Sequence, residues 1–143
     1  MSPALTLDVR NDTAELGRVA VELARFGAAH GLDEQDVFET TLALDEVLTN
    51  VIWYAFGDGE AHEIAVRVEL VEDELAIEVE DDGVAFDPLG VKPLDRELGS
   101  PVQERPVGGL GMHFVRRTMH ALAYRREMGK NILMMRRRVA QRR

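Results

Sequence analysis

Two runs of apolar and polar alternation lie back to back in this chain, and they narrow its folds sharply. Ile64, Val66, Val68 and Leu70 alternate with Arg67 and Glu69, then Leu75, Ile77 and Val79 alternate with Ala76 and Glu78. Alternation of period two puts one apolar row on one face of a strand. The polar Glu72-Asp73 between the runs reads as a hairpin turn, so the two strands pair antiparallel and share one dry face. A sheet with one dry face needs a layer to cover it.

Two helices are available before the hairpin. Leu16, Val19, Ala20, Leu23 and Ala24 recur at helical spacing, and Gly31 is a plausible stop. Asp33 then offers an N-cap, with Glu34 and Asp36 in the first turn of a second helix. Val37, Leu44, Val47, Leu48 and Val51 give that helix an apolar stripe to about Tyr54, and Gly57-Asp58-Gly59 breaks it. Trp53 is expected to line the core. A third helix should open near Gly109-Gly111 and run to about Leu122, burying Met112, Val115, Met119 and Leu122. A last hairpin is expected from Ala123 to Glu127 and from Ile132 to Arg136. A short alternating segment (Leu5, Leu7, Val9) precedes everything. This order gives an α+β fold, a two-layer α/β sandwich whose mainly antiparallel mixed sheet carries helices on one face. It argues against a doubly wound nucleotide fold, where strand and helix would alternate. The 143 residues suit one domain.

Between Asp87 and Val107 the patterning fails, and four of the five prolines fall there (Pro88, Pro93, Pro101, Pro106). A loop of that length inside a domain is uncommon and usually functional. The absence of cysteine excludes a disulfide framework and a thiolate metal site. No basic segment followed by an apolar run opens the chain, and no apolar stretch approaches the roughly 20 residues of a membrane span. No signal peptide and no membrane are therefore expected, and the expected address is cytoplasmic. Residues 1–105 carry 7 Lys+Arg against 25 Asp+Glu, whereas residues 106–143 carry 10 against one. With so acidic a body, the basic third suits a nucleotide triphosphate or an acidic partner protein better than a nucleic acid.

Three polar constellations break otherwise consistent patterns, and such breaks are where sites are expected. Glu46 and Asn50 are four apart on the second helix and share its face. The carboxylate can take a proton from a hydroxyl, and the amide oxygen is a hard ligand suited to Mg²⁺. Next, Asp81-Asp82-Gly83 ends a strand, with Asp81 continuing the inward register of Leu75, Ile77 and Val79. A buried carboxylate needs a donor, for which an adenine amine would serve, and Gly83 removes a Cβ from beside a flat base. A plain strand-ending turn explains the same residues. Last, Gly108-Gly109-Leu110-Gly111-Met112 enters the third helix, where backbone N–H groups and a helix terminus suit phosphate. A hinge would also use these glycines. Neither a Rossmann fingerprint nor a P-loop occurs. His113 and His120, seven apart, read as helix packing; with His30 and His62 elsewhere, the four histidines form no familiar metal motif.

Taken in order, the three constellations resemble the pattern of the GHKL (Bergerat-fold) ATPases. Glu46 and Asn50 match the N-box, Asp81 and Gly83 the D-x-G box, and Gly108, Gly109 and Gly111 the glycine-rich box; residues 87–107 fall where that family has an ATP lid. Asp81 to Pro88, Gly108 to Gly111 and Gly129-Lys130-Asn131 look most like the anti-sigma-factor serine/threonine-protein kinases. The resemblance implies an ATP site with Asp81 on adenine, Asn50 on Mg²⁺, the glycine-rich residues with Leu110 and Met112 on the phosphates, and Glu46 as the base. It implies as partners a sigma factor and a small antagonist protein whose serine is phosphorylated, and a homodimer. Tyr54 stands where a histidine is often found, and Val84-Ala85 where some members have a glycine. Three other readings share the boxes: an ATP-binding module without phosphotransfer, a stand-alone histidine-kinase-like catalytic domain, and an ATP-driven clamp, which needs further domains.

Overall fold

A computed structural model describes residues 2–90 and 112–140, and the account that follows concerns those residues. The alternating rows fold as their pattern directs. Strand β2 (Glu63–Val71) and strand β3 (Glu74–Asp81) pair antiparallel with Val66 opposite Val79, Val68 opposite Ile77 and Leu70 opposite Leu75. Glu72 takes the positive φ, 57°, that the two-residue turn requires. Strand β1 (Ala4–Arg10), the alternating segment at the start of the chain, adds to β2 as an edge strand. Strands β4 (Ala121–Glu127) and β5 (Lys130–Arg138) form the second hairpin, around Met128-Gly129, and β5 adds to β3. The sheet order is β1-β2-β3-β5-β4 and every pairing among the described residues is antiparallel.

Helices α1 (Leu16–Ala29) and α2 (Glu34–Tyr54) cover the dry face. Asp33 caps α2 by accepting from the Gln35 N–H at 3.3 Å. Gly27 allows the two helices to meet closely, since a Cβ there would stand 2.5 Å from Val37 Cγ2. Ala43, Leu44, Val47 and Leu48 are buried against the sheet, and truncating a side chain such as Leu48 to alanine would cost about 2–5 kcal/mol. The end of β5 is tied to the start of α2. Arg137 donates to Asp36 at 2.7 Å, pairs with Glu39 at 2.9 Å and donates to the Thr118 carbonyl at 3.0 Å, while Asp36 also accepts from the Ala140 N–H. No helix among the described residues is long and apolar enough to cross a membrane.

Three expectations are corrected. Helix α3 (His113–Thr118) is one and a half turns long and Leu122 belongs to β4, because the His120 N–H bonds to the Arg136 carbonyl and carries the backbone into the sheet. His113 and His120 therefore do not share a helix; His120 lies 3.2 Å from Glu74 instead. Trp53 is 52% exposed, not core. At about 100° per residue it lies about 240° round the helix from the sheet-facing Val47, beside an open cleft shared with Arg10, Asn11, Phe56 and Glu60.

Candidate functional site

Helix α2 presents Glu46 and Asn50 from one buried stripe, beside the residues that pack on the sheet. Opposite them, β3 delivers Asp81 at its last position and β5 delivers Asn131, which is Asp81's partner in the register. Asn50, Asp81 and Asn131 line one cavity, walled by Val47, Phe86, Tyr124 and Leu133. Its volume is about 20 Å³, room for a water molecule.

Asp81 is buried, and its Oδ1 accepts from the Gly83 N–H at 2.8 Å and the Asn131 amide at 3.0 Å. Burial pushes its carboxyl above the usual aspartate range, and those two hydrogen bonds pull part of the way back; Asp82 pushes it up and Arg126 draws it down. Oδ2 takes no hydrogen bond from the described residues. A buried carboxylate with one oxygen accepting twice and the other open, beside the aromatic rings of Phe86 and Tyr124, offers an acceptor to an N–H donor. A cavity of water size must widen to take a group as large as a base. Gly83 is required for a different reason than a bound base. Its missing Cβ is the space occupied by the backbone and side chain of Ala55, whose Cβ would be 2.6 Å away, and the Val84 N–H bonds to the Ala55 carbonyl at 2.8 Å. Tyr54, in the place of the family's histidine, stacks on Phe86 with centroids 5.7 Å apart and so backs the cavity wall.

Asn50 donates to the Met112 sulfur at 3.0 Å. Met112 is fully buried and holds a left-handed backbone (φ 50°) immediately before α3. Glu46, one turn before Asn50, accepts from the His113 N–H at 2.8 Å and the Val115 N–H at 3.0 Å. Its two oxygens satisfy the first amides of α3, which would otherwise lack partners. The Asn50 amide oxygen is a hard donor of the kind Mg²⁺ takes when phosphates and water supply the rest. Among the described residues no cluster of three or more His, Cys, Asp or Glu is placed to hold a metal by itself.

The sequence pattern therefore brings Glu46, Asn50, Asp81, Gly83 and Met112 to one place. Gly108, Gly109, Leu110 and Gly111, with positions 91–107 of the expected lid, lie outside the described residues. Of the start of that loop, the Leu89 N–H bonds to Asp87 and the Leu89 carbonyl accepts from Arg116 at 2.9 Å. Asn131, Tyr124 and Arg126 were not singled out as site residues. A signal for Asn131 existed: it continues the inward row of Leu133 and Met135, and a polar side chain in that row is the same irregularity that marked Asp81.

Over residues 9–137 the chain matches the model of the histidine kinase-like ATPase domain family. Serine/threonine-protein kinase BtrW of Bordetella bronchiseptica is 33% identical over 96 residues, which are 67% of this chain and 66% of that protein. Serine-protein kinase RsbW of Bacillus cereus is 30% identical over 118 residues, 80% of this chain and 73% of that one. The alignment thus takes in about two thirds of the Bordetella relative's length. Among solved structures, the RsbU and RsbW domains of a Mycobacterium tuberculosis protein superpose with TM-score 0.69 at 15% identity, covering 98% of this chain and 33% of that one. The SiaB–SiaC complex of Pseudomonas aeruginosa gives TM-score 0.58 at 16% identity, covering 95% and 89%. At such identities these two likenesses are of fold.

Proposed function

The chain belongs to the histidine kinase-like ATPase domain family, and from that membership we propose that it is an ATP-dependent serine/threonine-protein kinase of the anti-sigma type. Its substrate is a serine of a small antagonist protein, its second partner is a sigma factor, and it works in the cytoplasm. One observation carries the nucleotide part: Asp81, buried and held by Asn131 and Gly83, faces Asn50 across a single cavity. The kinase part is supported by relatives named serine/threonine-protein kinase BtrW and serine-protein kinase RsbW. A partner-binding role is supported by the fold's occurrence in the SiaB–SiaC complex.

In this reading Asp81 accepts from the adenine amine, and Phe86 and Tyr124 wall the base. Asn50 is the protein ligand for Mg²⁺. Gly108, Gly109, Leu110 and Gly111 are assigned to the phosphates, with Met112, on their sequence pattern. Bound ATP and Mg²⁺ supply a transferable phosphoryl group and neutralise its charge, so positioning is most of what the protein must add. Glu46 is assigned to the proton of the attacking hydroxyl. Each of its oxygens accepts one α3 amide and keeps a further lone pair with which to take that proton. The same two hydrogen bonds favour a second reading, in which Glu46 is purely structural and the domain binds ATP and sequesters a partner without phosphotransfer.

Capture of partners from the native host with and without ATP, followed by incubation with γ-labelled ATP, tests both. Phosphoserine in a small captured protein supports the kinase. Acid-labile phosphohistidine would replace it with a histidine-kinase activity, and ATP-dependent capture without label would leave the binding module.

A further inference from the structure

Asn131 spends its whole hydrogen-bonding capacity inside the protein. Its amide nitrogen donates to Asp81 Oδ1 at 3.0 Å and to the Val84 carbonyl at 2.8 Å. Its Oδ1 accepts from the Phe86 N–H at 3.2 Å, the Tyr124 hydroxyl at 2.5 Å and the Arg126 guanidinium at 3.2 Å. An asparagine has two N–H donors and two lone pairs on oxygen, so nothing remains for a ligand. The five partners come from the end of β3, the turn after it and the edge strand β4. One side chain thus adds the turn after β3 to strands β3 and β4, which β5 already joins in the sheet.

We propose that Asn131 is a positioning residue for recognition of the base. By engaging Oδ1, together with the Gly83 N–H, it fixes the rotation of the Asp81 carboxylate so that Oδ2 is the oxygen offered to an exocyclic amine. The same amide holds Val84 and Phe86, and through them the turn that walls the cavity. This rests on the reading of the cavity as an adenine site, and it adds that discrimination for the amine resides in the Asp81–Asn131 pair rather than in Asp81 alone.

The test compares ATP with purine riboside triphosphate, which lacks only the 6-amino group, by calorimetry on the full chain. Asn131→Asp keeps size and the acceptor side while deleting both donors. It should weaken ATP about tenfold to a hundredfold and leave the analogue almost unchanged, so that the preference for ATP collapses. A residue that merely supported the fold would weaken both nucleotides alike, and that outcome overturns the proposal. So does a folded Asn131→Asp with the wild-type preference. Tyr124→Phe, which removes one hydroxyl from the bracket and keeps the ring, should reduce the preference severalfold; if Asn131→Asp does not fold, an unchanged preference in Tyr124→Phe overturns the proposal. Failure of the wild type to bind either nucleotide would instead remove the adenine reading itself.

Discussion

Glu46→Gln exchanges one carboxylate oxygen for an NH₂ group at a place that presents two donors. Both wild-type oxygens are used, by the amides of His113 at 2.8 Å and Val115 at 3.0 Å. Glutamine can satisfy one amide, and its own N–H group then faces the other. The loss is one charge-assisted hydrogen bond, about 1.5–3 kcal/mol, with a buried amide left unpaired. For a chain of this size about 2 kcal/mol lowers Tm by roughly 6–8 °C. The loss is local, so hydrogen exchange at the His113 and Val115 amides should accelerate more than exchange across β2 and β3. A wild-type Tm with unchanged exchange at these two amides would refute the argument that Glu46 holds α3. The same variant addresses the chemistry in a single-turnover phosphorylation assay run well below its Tm. Removal of a general base costs about 10²–10⁴ in rate. A loss of that size with ATP affinity retained supports the base assignment, whereas a change under tenfold leaves Glu46 with the α3 amides alone.

Asp81→Asn should weaken ATP about tenfold to a hundredfold by calorimetry, yet keep its Tm at neutral pH or raise it. The new amide oxygen can still accept from Gly83 and Asn131, while the desolvated charge is gone. Because Asp81's folded pKa lies above its unfolded value, the ionised side chain detracts from stability at neutral pH and stops doing so as pH falls through the raised pKa. The Tm difference between variant and wild type should therefore close on acidification, and a constant difference would contradict it. Asp45 is also pushed up by burial and its Oδ1 has no partner among the described residues. Asp45→Asn should raise Tm at neutral pH, with the gain shrinking in acid for the same reason. Gly83→Ala forces a Cβ to 2.6 Å from that of Ala55 and should cost about 1–3 kcal/mol in urea unfolding. Arg137→Ala strands the buried Asp36 carboxylate and should cost about 3–5 kcal/mol in the same assay.

What could be read beforehand was whatever the chain writes locally. Alternation placed β2 and β3 and oriented Asp81, and Asp33 announced the start of α2. Trp53 suits a core by residue type, but its helical phase turns it away from the sheet. Met119 and Leu122 continue the spacing of the third helix beyond its true end, and nothing near them in sequence shows that the Arg136 carbonyl claims the His120 N–H. Glu46 shows the limit most clearly. The helix face it shares with Asn50 was legible, but the two amides it binds lie 67 and 69 residues away and belong to backbone, which carries no side-chain signature. Asn131 lay within reach of the rule applied to Asp81.

The hydrogen bond from Arg116 to the Leu89 carbonyl joins two points 27 residues apart in the chain. Pro88 and Met112 line the same cavity nearby. The polypeptide therefore leaves this neighbourhood at one point and comes back almost to where it left. Joining ends that are already adjacent is a polymer problem whose cost rises only with the logarithm of contour length, about 0.6 kcal/mol for each doubling. The sheet and its covering helices consequently impose almost no selection on how many residues run between Leu89 and Met112. A change in the number of residues between Leu89 and Gly108 should therefore leave the stability of the described sheet and helices nearly level, a matter for urea unfolding of length variants.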